Sequence, residues 1–190
     1  RGLQVRPVDH CYLGNDLTAE ECREASARVA GQVDVEEPSN MAGRVAELLA
    51  AGEIVARASG RMEFGARALG NRSILADPIN QDVVRVINRM IKKRDFWMPF
   101  APVIPEEVAS DYIVESENLG VFNHMMIASN STPVGRDVLT AGIHPADKTM
   151  RPQVIKKSHN QEYWEIVNAF KKITGVGALI NTSFNLHGEP

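Results

Sequence analysis

The segment from Gly60 to Ser73 interleaves Gly60, Gly65 and Gly70 with Arg61, Arg67 and Arg72. Glycine tolerates positive φ and close backbone approach, so main-chain N–H groups in such a loop can turn towards a ligand. Guanidinium forks match the paired oxygens of a phosphate or carboxylate. Glycines and arginines so spaced point to anion binding. The competing reading is a tight loop whose arginines pair with Glu63 and Asp77. The segment has neither the Gly-Lys-Ser/Thr of a Walker loop nor the acidic partner of a dinucleotide fingerprint.

Three further blocks carry polar chemistry. From Asn88 to Pro102, Lys92, Lys93 and Arg94 close a helical pattern, where cations complement the helix dipole. Phe96, Trp97 and Phe100 follow among prolines, as core residues with one face able to stack on an adenine. From Ile180 to Pro190, Ser183 and Asn185 follow a short apolar run. Open α/β sheets bind ligands beyond strand ends, and a hydroxyl and an amide there suit phosphate or ribose oxygens, or else an ordinary turn. His187 reads as a surface turn residue. His144, Asp147, Thr149, Arg151 and Gln153 form the fourth block. Only His144 is a soft ligand, so no zinc site is expected and no metal ligands are assigned. With no nucleophile-elbow sequence, covalent catalysis has no support.

Elements must bring these blocks together. Thr18 to Val29 reads as a polar helix with a capping box from Thr18 to Glu21. Asp34 to Pro38 reads as a linker. Ser39 or Asn40 caps a helix with Met41, Val45, Leu48 and Leu49 in one stripe and Gly52 at its end. Strands are expected over Glu53 to Ala58, Ser73 to Ala76, Ala101 to Ile104, Val121 to Ala128, Met150 to Ile155 (an edge strand, because of Pro152) and Val176 to Asn181. Asn80 to Lys93 reads as a helix with Val83, Val84, Ile87, Met90 and Ile91 inward. Glu162 to Ile173 reads as another, with Trp164, Ile166, Val167 and Phe170 inward. Alternating strands and helices predict an α/β class, in mixed α+β form.

The 190 residues suit one domain, and 44% hydrophobic with 24% charged residues is ordinary globular composition. No run approaches the roughly 18 apolar residues of a membrane span. Two cysteines, Cys11 and Cys22, cannot staple a chain of this size, which suits a reducing cytoplasm. The net charge of −3 conceals an asymmetry: Arg57 to Arg94 carries nine basic and three acidic residues, a balance of +6 against −9 elsewhere. A basic block in an acidic chain points to one anion-binding surface rather than general nucleic-acid affinity. Ending at Gly188-Glu189-Pro190, inside a motif-like turn, the sequence reads as a piece of a longer protein.

The strings EFGARALGNRSILADP, NRMIKKRDFWMPFAP, HPADKTMRPQ and LINTSFNLHGEP, in that order, resemble the C-terminal region of the O-carbamoyltransferases of nodulation-factor and antibiotic tailoring, over about Leu13 to Pro190. The resemblance implies a YrdC-like domain over 39–190, with 1–38 as a leader from a missing N-terminal domain. The implied fold is a strongly twisted mixed sheet with flanking helices and the basic block on its concave side. The implied activity is formation of carbamoyl-adenylate from ATP and carbamoyl phosphate, with Mg2+. An actin-like N-terminal domain carrying histidine-bound iron would then transfer the carbamoyl group to a hydroxyl. Carried over by motif, Lys92, Arg67 and Arg151 are the catalytic residues, and Arg72, Arg94, Ser183 and Asn185 the ligand-binding ones. One departure stands out: many members have Phe-Arg-Pro-Phe-Ala-Pro where this chain has Trp97-Met98-Pro99-Phe100-Ala101-Pro102, and Arg94 is the expected substitute for the lost arginine. The alternatives are an RNA-binding module and a nucleotide-binding domain without turnover.

Overall fold

A computed structural model describes residues 8–93, 95, 98–186, 188 and 189. The polar helix near the start of the sequence forms as expected: α1 (Ala19–Arg28) starts at Thr18, whose side chain accepts from the Glu21 N–H while Glu21 accepts from the Thr18 N–H. No residue of α1 is buried, and its attachment to the rest comes from the segment before it. There Tyr12 enters the core beside Leu69, Ala101 and Met125, and its hydroxyl donates to the Leu69 carbonyl (2.8 Å). Burial pushes the Tyr12 pKa up to about 12, so that donor stays protonated across the physiological range.

Asn40 caps α2 (Met41–Ala50), accepting from the Gly43 N–H, and Gly52 at φ +90° follows its end. Ala46 and Leu49 face inward, against α6 (Gln161–Thr174), which buries Tyr163, Ile166, Val167 and Phe170 and stops at Gly175 in the left-handed conformation. Five strands form one sheet in the order β1 (Val55–Ala58), β2 (Arg72–Ala76), β7 (Leu179–Ser183), β3 (Ala101–Pro105), β6 (Gln153–Ile155). The β1–β2, β2–β7 and β7–β3 pairs are antiparallel and β3–β6 is parallel, so the sheet is mixed and the α/β expectation holds. Around it lie α3 (Asp82–Ile87), α4 (Ala109–Tyr112) and α5 (Pro133–Val138), with a small second sheet of β4 (Ser129–Asn130) and β5 (Thr149–Met150).

This topology brings parts of the four polar blocks to one end of the sheet. Antiparallel pairing sets the start of β2 beside the end of β7, Ser73 opposite Ser183. The next pair sets the start of β3 beside that same end, Ala101 opposite Asn181. Parallel pairing then brings the start of β6 alongside β3. Residues 59–71, 98–100, 151–152 and 184–186 therefore share one rim.

Three expectations change. The helix expected over Asn80 to Lys93 is α-helical only to Ile87, then widens into a π-helical turn, Asn88–Lys92, ending on Lys93 at φ +45°. The wider turn carries Met90 out to solvent, 73% exposed, instead of into the core. The strand expected at Val121 to Ala128 is absent. Its chain completes a 3-10 helical stretch, Ser116–Phe122, then turns, and only Phe122 and Met125 are buried, three apart as in a helical turn. The strand expected at Met150 to Ile155 is split into β5 and β6 around Pro152, whose missing N–H cannot serve a ladder; β6 is an edge strand, as that proline implies.

Candidate functional site

Glu63 organises the glycine-arginine loop. Its Oε1 accepts from the N–H groups of Leu69 (2.7 Å), Asn71 (2.8 Å) and Arg72 (3.2 Å), and the residue is 8% exposed. The loop carbonyls are held from the other side. Asn181 Nδ2 donates to Ala68 O, Gln153 Nε2 and the Tyr12 hydroxyl to Leu69 O, and Arg57 Nη1 to Gly70 O. Gly70 sits at φ +120° with Tyr163 packed where a Cβ would lie. Residues 64–66 are exposed, and Arg67 and Ala68 after them are half-buried. The loop is tight, but Glu63 takes backbone N–H groups rather than an arginine, and Asp77 Oδ1 accepts from Ile79 N–H. Those three N–H groups are turned to Glu63.

The arginines divide by role. Arg61 donates to the carbonyls of Leu13 and Gly14, holding the segment before α1. Arg72 donates to the carbonyls of Ser59, Gly60 and Asn71, closing the base of the loop, and also lines the cleft below it. Arg57 is 8% exposed and ion-paired to Glu162 at 3.0 Å; burial lowers its pKa, and the Glu162 charge works against that. Arg67 differs from these: its Nε is buried and makes no hydrogen bond among the described residues.

Two cavities meet at Arg67. A cleft of about 590 Å³ is lined by Met62, Gly65, Arg67, Arg72, Phe184 and Asn185. A smaller cavity of about 50 Å³ is lined by Arg67, Phe100, Arg151, Asn181, Thr182 and Ser183. They share Ala66, Arg67, Ala68 and Ser183. Lys92 reaches the same rim from the π-helical turn, 2% exposed. Its Nζ donates to Ser183 Oγ (3.0 Å), Asn185 Oδ1 (3.0 Å) and the Asn185 carbonyl. Lysine, hydroxyl and amide thus form one contact set at the end of β7, bringing together residues more than ninety positions apart in sequence.

A family model for the carbamoyltransferase C-terminus matches residues 46–190 of this sequence. The chain belongs to that family. Among its relatives, nodulation protein NolNO of Sinorhizobium fredii is 40% identical over 184 residues, covering 96% of this chain and 27% of the relative. Nodulation protein NolO of Bradyrhizobium diazoefficiens is 38% identical over 180 residues, covering 94% of this chain and 33% of that one. The chain therefore spans a third or less of the length of these two relatives. Two solved HypF structures share the fold: one in a phosphate- and nucleotide-bound form, with TM-score 0.52 and 17% identity over 83% of this chain and 19% of that one, and HypF of T. kodakarensis, with TM-score 0.56 and 20% identity over 82% of this chain and 18% of that one.

For this carbamoyltransferase-family chain, the residues singled out by sequence fall as follows. Arg67, Arg72, Arg151, Ser183 and Asn185 line the paired cavities, and Lys92 binds the last two. Arg94, with Phe96, Trp97 and His187, lies outside the described residues. Met98 lines a separate cavity with Val84, Arg85 and Pro145, away from Arg67. His144 and Asp147 pair with each other at 3.2 Å within their own turn. Among the described residues no group of three His, Cys, Asp or Glu side chains could hold a metal ion. Sequence reasoning missed Glu63 as the loop's acceptor and Asn181 as its anchor. The signal for Glu63 was a lone carboxylate inside a glycine-bounded loop.

Proposed function

We propose that this chain is the part of an O-carbamoyltransferase that binds ATP and carbamoyl phosphate and forms carbamoyl-adenylate. The observation that carries the reading is Arg67, a half-buried residue whose buried Nε has no hydrogen-bond partner among the described residues, at the junction of two cavities that Arg72 and Arg151 also line. A buried donor of this kind is costly unless a ligand satisfies it. The larger cavity has room for a nucleotide's phosphates and the smaller for a carbamoyl-sized group. Membership of the family supports carbamoyl transfer as the reaction class.

In the proposed reaction water cleaves carbamoyl phosphate to carbamate and inorganic phosphate. A carbamate oxygen then bonds to the α-phosphorus of ATP, and the bond from that phosphorus to the pyrophosphate oxygen breaks. Negative charge concentrates on the phosphoryl oxygens, and fixed cations stabilise it without a covalent enzyme intermediate. Arg67 and Arg151 would act directly, while Lys92 would hold Ser183 and Asn185 as a phosphate-facing turn. Magnesium would arrive on the nucleotide's phosphate oxygens and neutralise part of their charge. Residues 1–38 would lead in from a separate domain that passes the carbamoyl group to a hydroxyl. The cysteines Cys11 and Cys22 are both free, which fits a cytoplasmic setting. Among the described residues no helix is long and apolar enough to cross a membrane.

The test is calorimetric titration with ATP and magnesium, with and without carbamoyl phosphate, on the wild type, Arg151→Ala and Lys92→Ala, with thermal melts as folding controls. Saturable binding, lost in both folded variants, is the expected result. Absence of binding in a folded wild type refutes the reading.

A further inference from the structure

One buried polar atom at the rim is of the opposite kind to the arginines. Asn181 is 1% exposed and lines the 50 Å³ cavity together with Arg67, Arg151 and Ser183. Its Nδ2 donates to two acceptors, Ala68 O (3.0 Å) and Gln153 Oε1 (2.8 Å), which fixes which end of the amide is which. Its Oδ1 is then left buried, with no donor among the described residues. A bare phosphate site needs donors only. A cavity whose lining residues include one with an unpartnered acceptor and one with an unpartnered guanidinium N–H matches a small group with anionic or carbonyl oxygens at one end and an N–H at the other. The volume admits a few heavy atoms and excludes a nucleoside.

We propose that Asn181 is the specificity-determining residue of this cavity: its Oδ1 accepts a hydrogen bond from the carbamoyl –NH2 while Arg67 Nε donates to an oxygen of the same group. The inference rests on the proposed use of carbamoyl phosphate and says how the nitrogen is recognised. A site built around a buried acceptor rejects an analogue that cannot donate, because the acceptor is then desolvated and left unpaired. Acetyl phosphate is that analogue, since it replaces –NH2 by a methyl group of similar size and keeps the remaining atoms.

The experiment compares carbamoyl phosphate with acetyl phosphate on the wild-type protein by calorimetry, with ATP and magnesium present, and repeats the pair on Asn181→Leu. The wild type should prefer carbamoyl phosphate by about tenfold or more. In folded Asn181→Leu the preference should fall to near unity, and a retained tenfold preference overturns the role of Asn181. Equal binding of the two acyl phosphates by the wild type overturns the role of Asn181 and leaves the carbamoyl-adenylate reading standing. Binding of neither, in a folded protein, overturns that reading and this proposal with it. The wild-type comparison needs no substitution, so equal binding overturns the proposal even if Asn181→Leu fails to fold.

Discussion

Glu63 puts a carboxylate on the wall of a basic cleft, where Coulomb's law alone says it should repel an anion. The geometry argues the reverse, because the three N–H groups it holds fix the turn that carries Arg67. The two effects differ in sign, so one titration separates them. Glu63→Ala should weaken inorganic pyrophosphate binding, by about tenfold for a loosened charge-assisted contact; tighter binding would show that charge outweighs position. Glu63→Gln, which retains an acceptor at Oε1, should lie near the wild type. At this scale the sequence was informative about residue type and silent about direction. Three evenly placed arginines look alike in the string, yet Arg61 and Arg72 are engaged by carbonyls and Arg67 is not. The meeting of Lys92 with Ser183 came from the family resemblance, since no local period connects positions so far apart.

Among the elements, those with a strong period were legible. The stripes of α2 and α6, their caps and the buried run of β7 all lie near where spacing put them. The π-helical turn was not, because its pattern continues a helix and differs by one residue per turn. Nor was the small sheet, where a carboxylate substitutes for strand length. Glu115 accepts from Ser129 Oγ, the Asn130 N–H (2.9 Å) and Asn130 Nδ2 (2.6 Å), and these bonds lower its pKa from the ordinary 4.5 to about 2. A depressed carboxylate contributes stability that is complete above the unfolded pKa and is lost as pH falls towards the folded one. Glu115→Gln should therefore lower the melting temperature at pH 6, and the gap from the wild type should close between pH 4.5 and about 2. A gap independent of pH would mean the carboxylate is not the anchor of β4. The loop-to-helix junction gives a second test. At Gly70 a Cβ would lie 2.2 Å from Tyr163 Cδ1, with φ at +120°. Both terms oppose any side chain, and Gly70→Ala should cost about 3 kcal/mol in urea unfolding.

For the whole molecule the question is what the basic block is for. Its +6 balance raises the RNA-binding alternative, but the fold engages much of that charge in intramolecular contacts. Arg57 faces Glu162 and the Gly70 carbonyl, Arg61 and Arg72 hold backbone carbonyls, Arg85 pairs with Asp82, and Lys92 holds the turn after β7. The cations left around Arg67 open onto cavities of about 590 and 50 Å³, concave sites suited to a small anion rather than a groove that tracks a strand. The remaining surface belongs to a chain of net charge −3. A protein that neutralises several phosphates of single-stranded RNA shows a log–log salt slope of about −0.7 for each one. Anisotropy of a labelled RNA oligonucleotide, followed across a salt series, should here show weak binding with a slope no steeper than one or two phosphates give. ATP titrated under the same conditions should compete through the Arg67 cavities. A slope equivalent to six or more phosphates, unchanged in Arg67→Ala, would instead place a nucleic-acid surface elsewhere on the fold and make the cavities incidental to it.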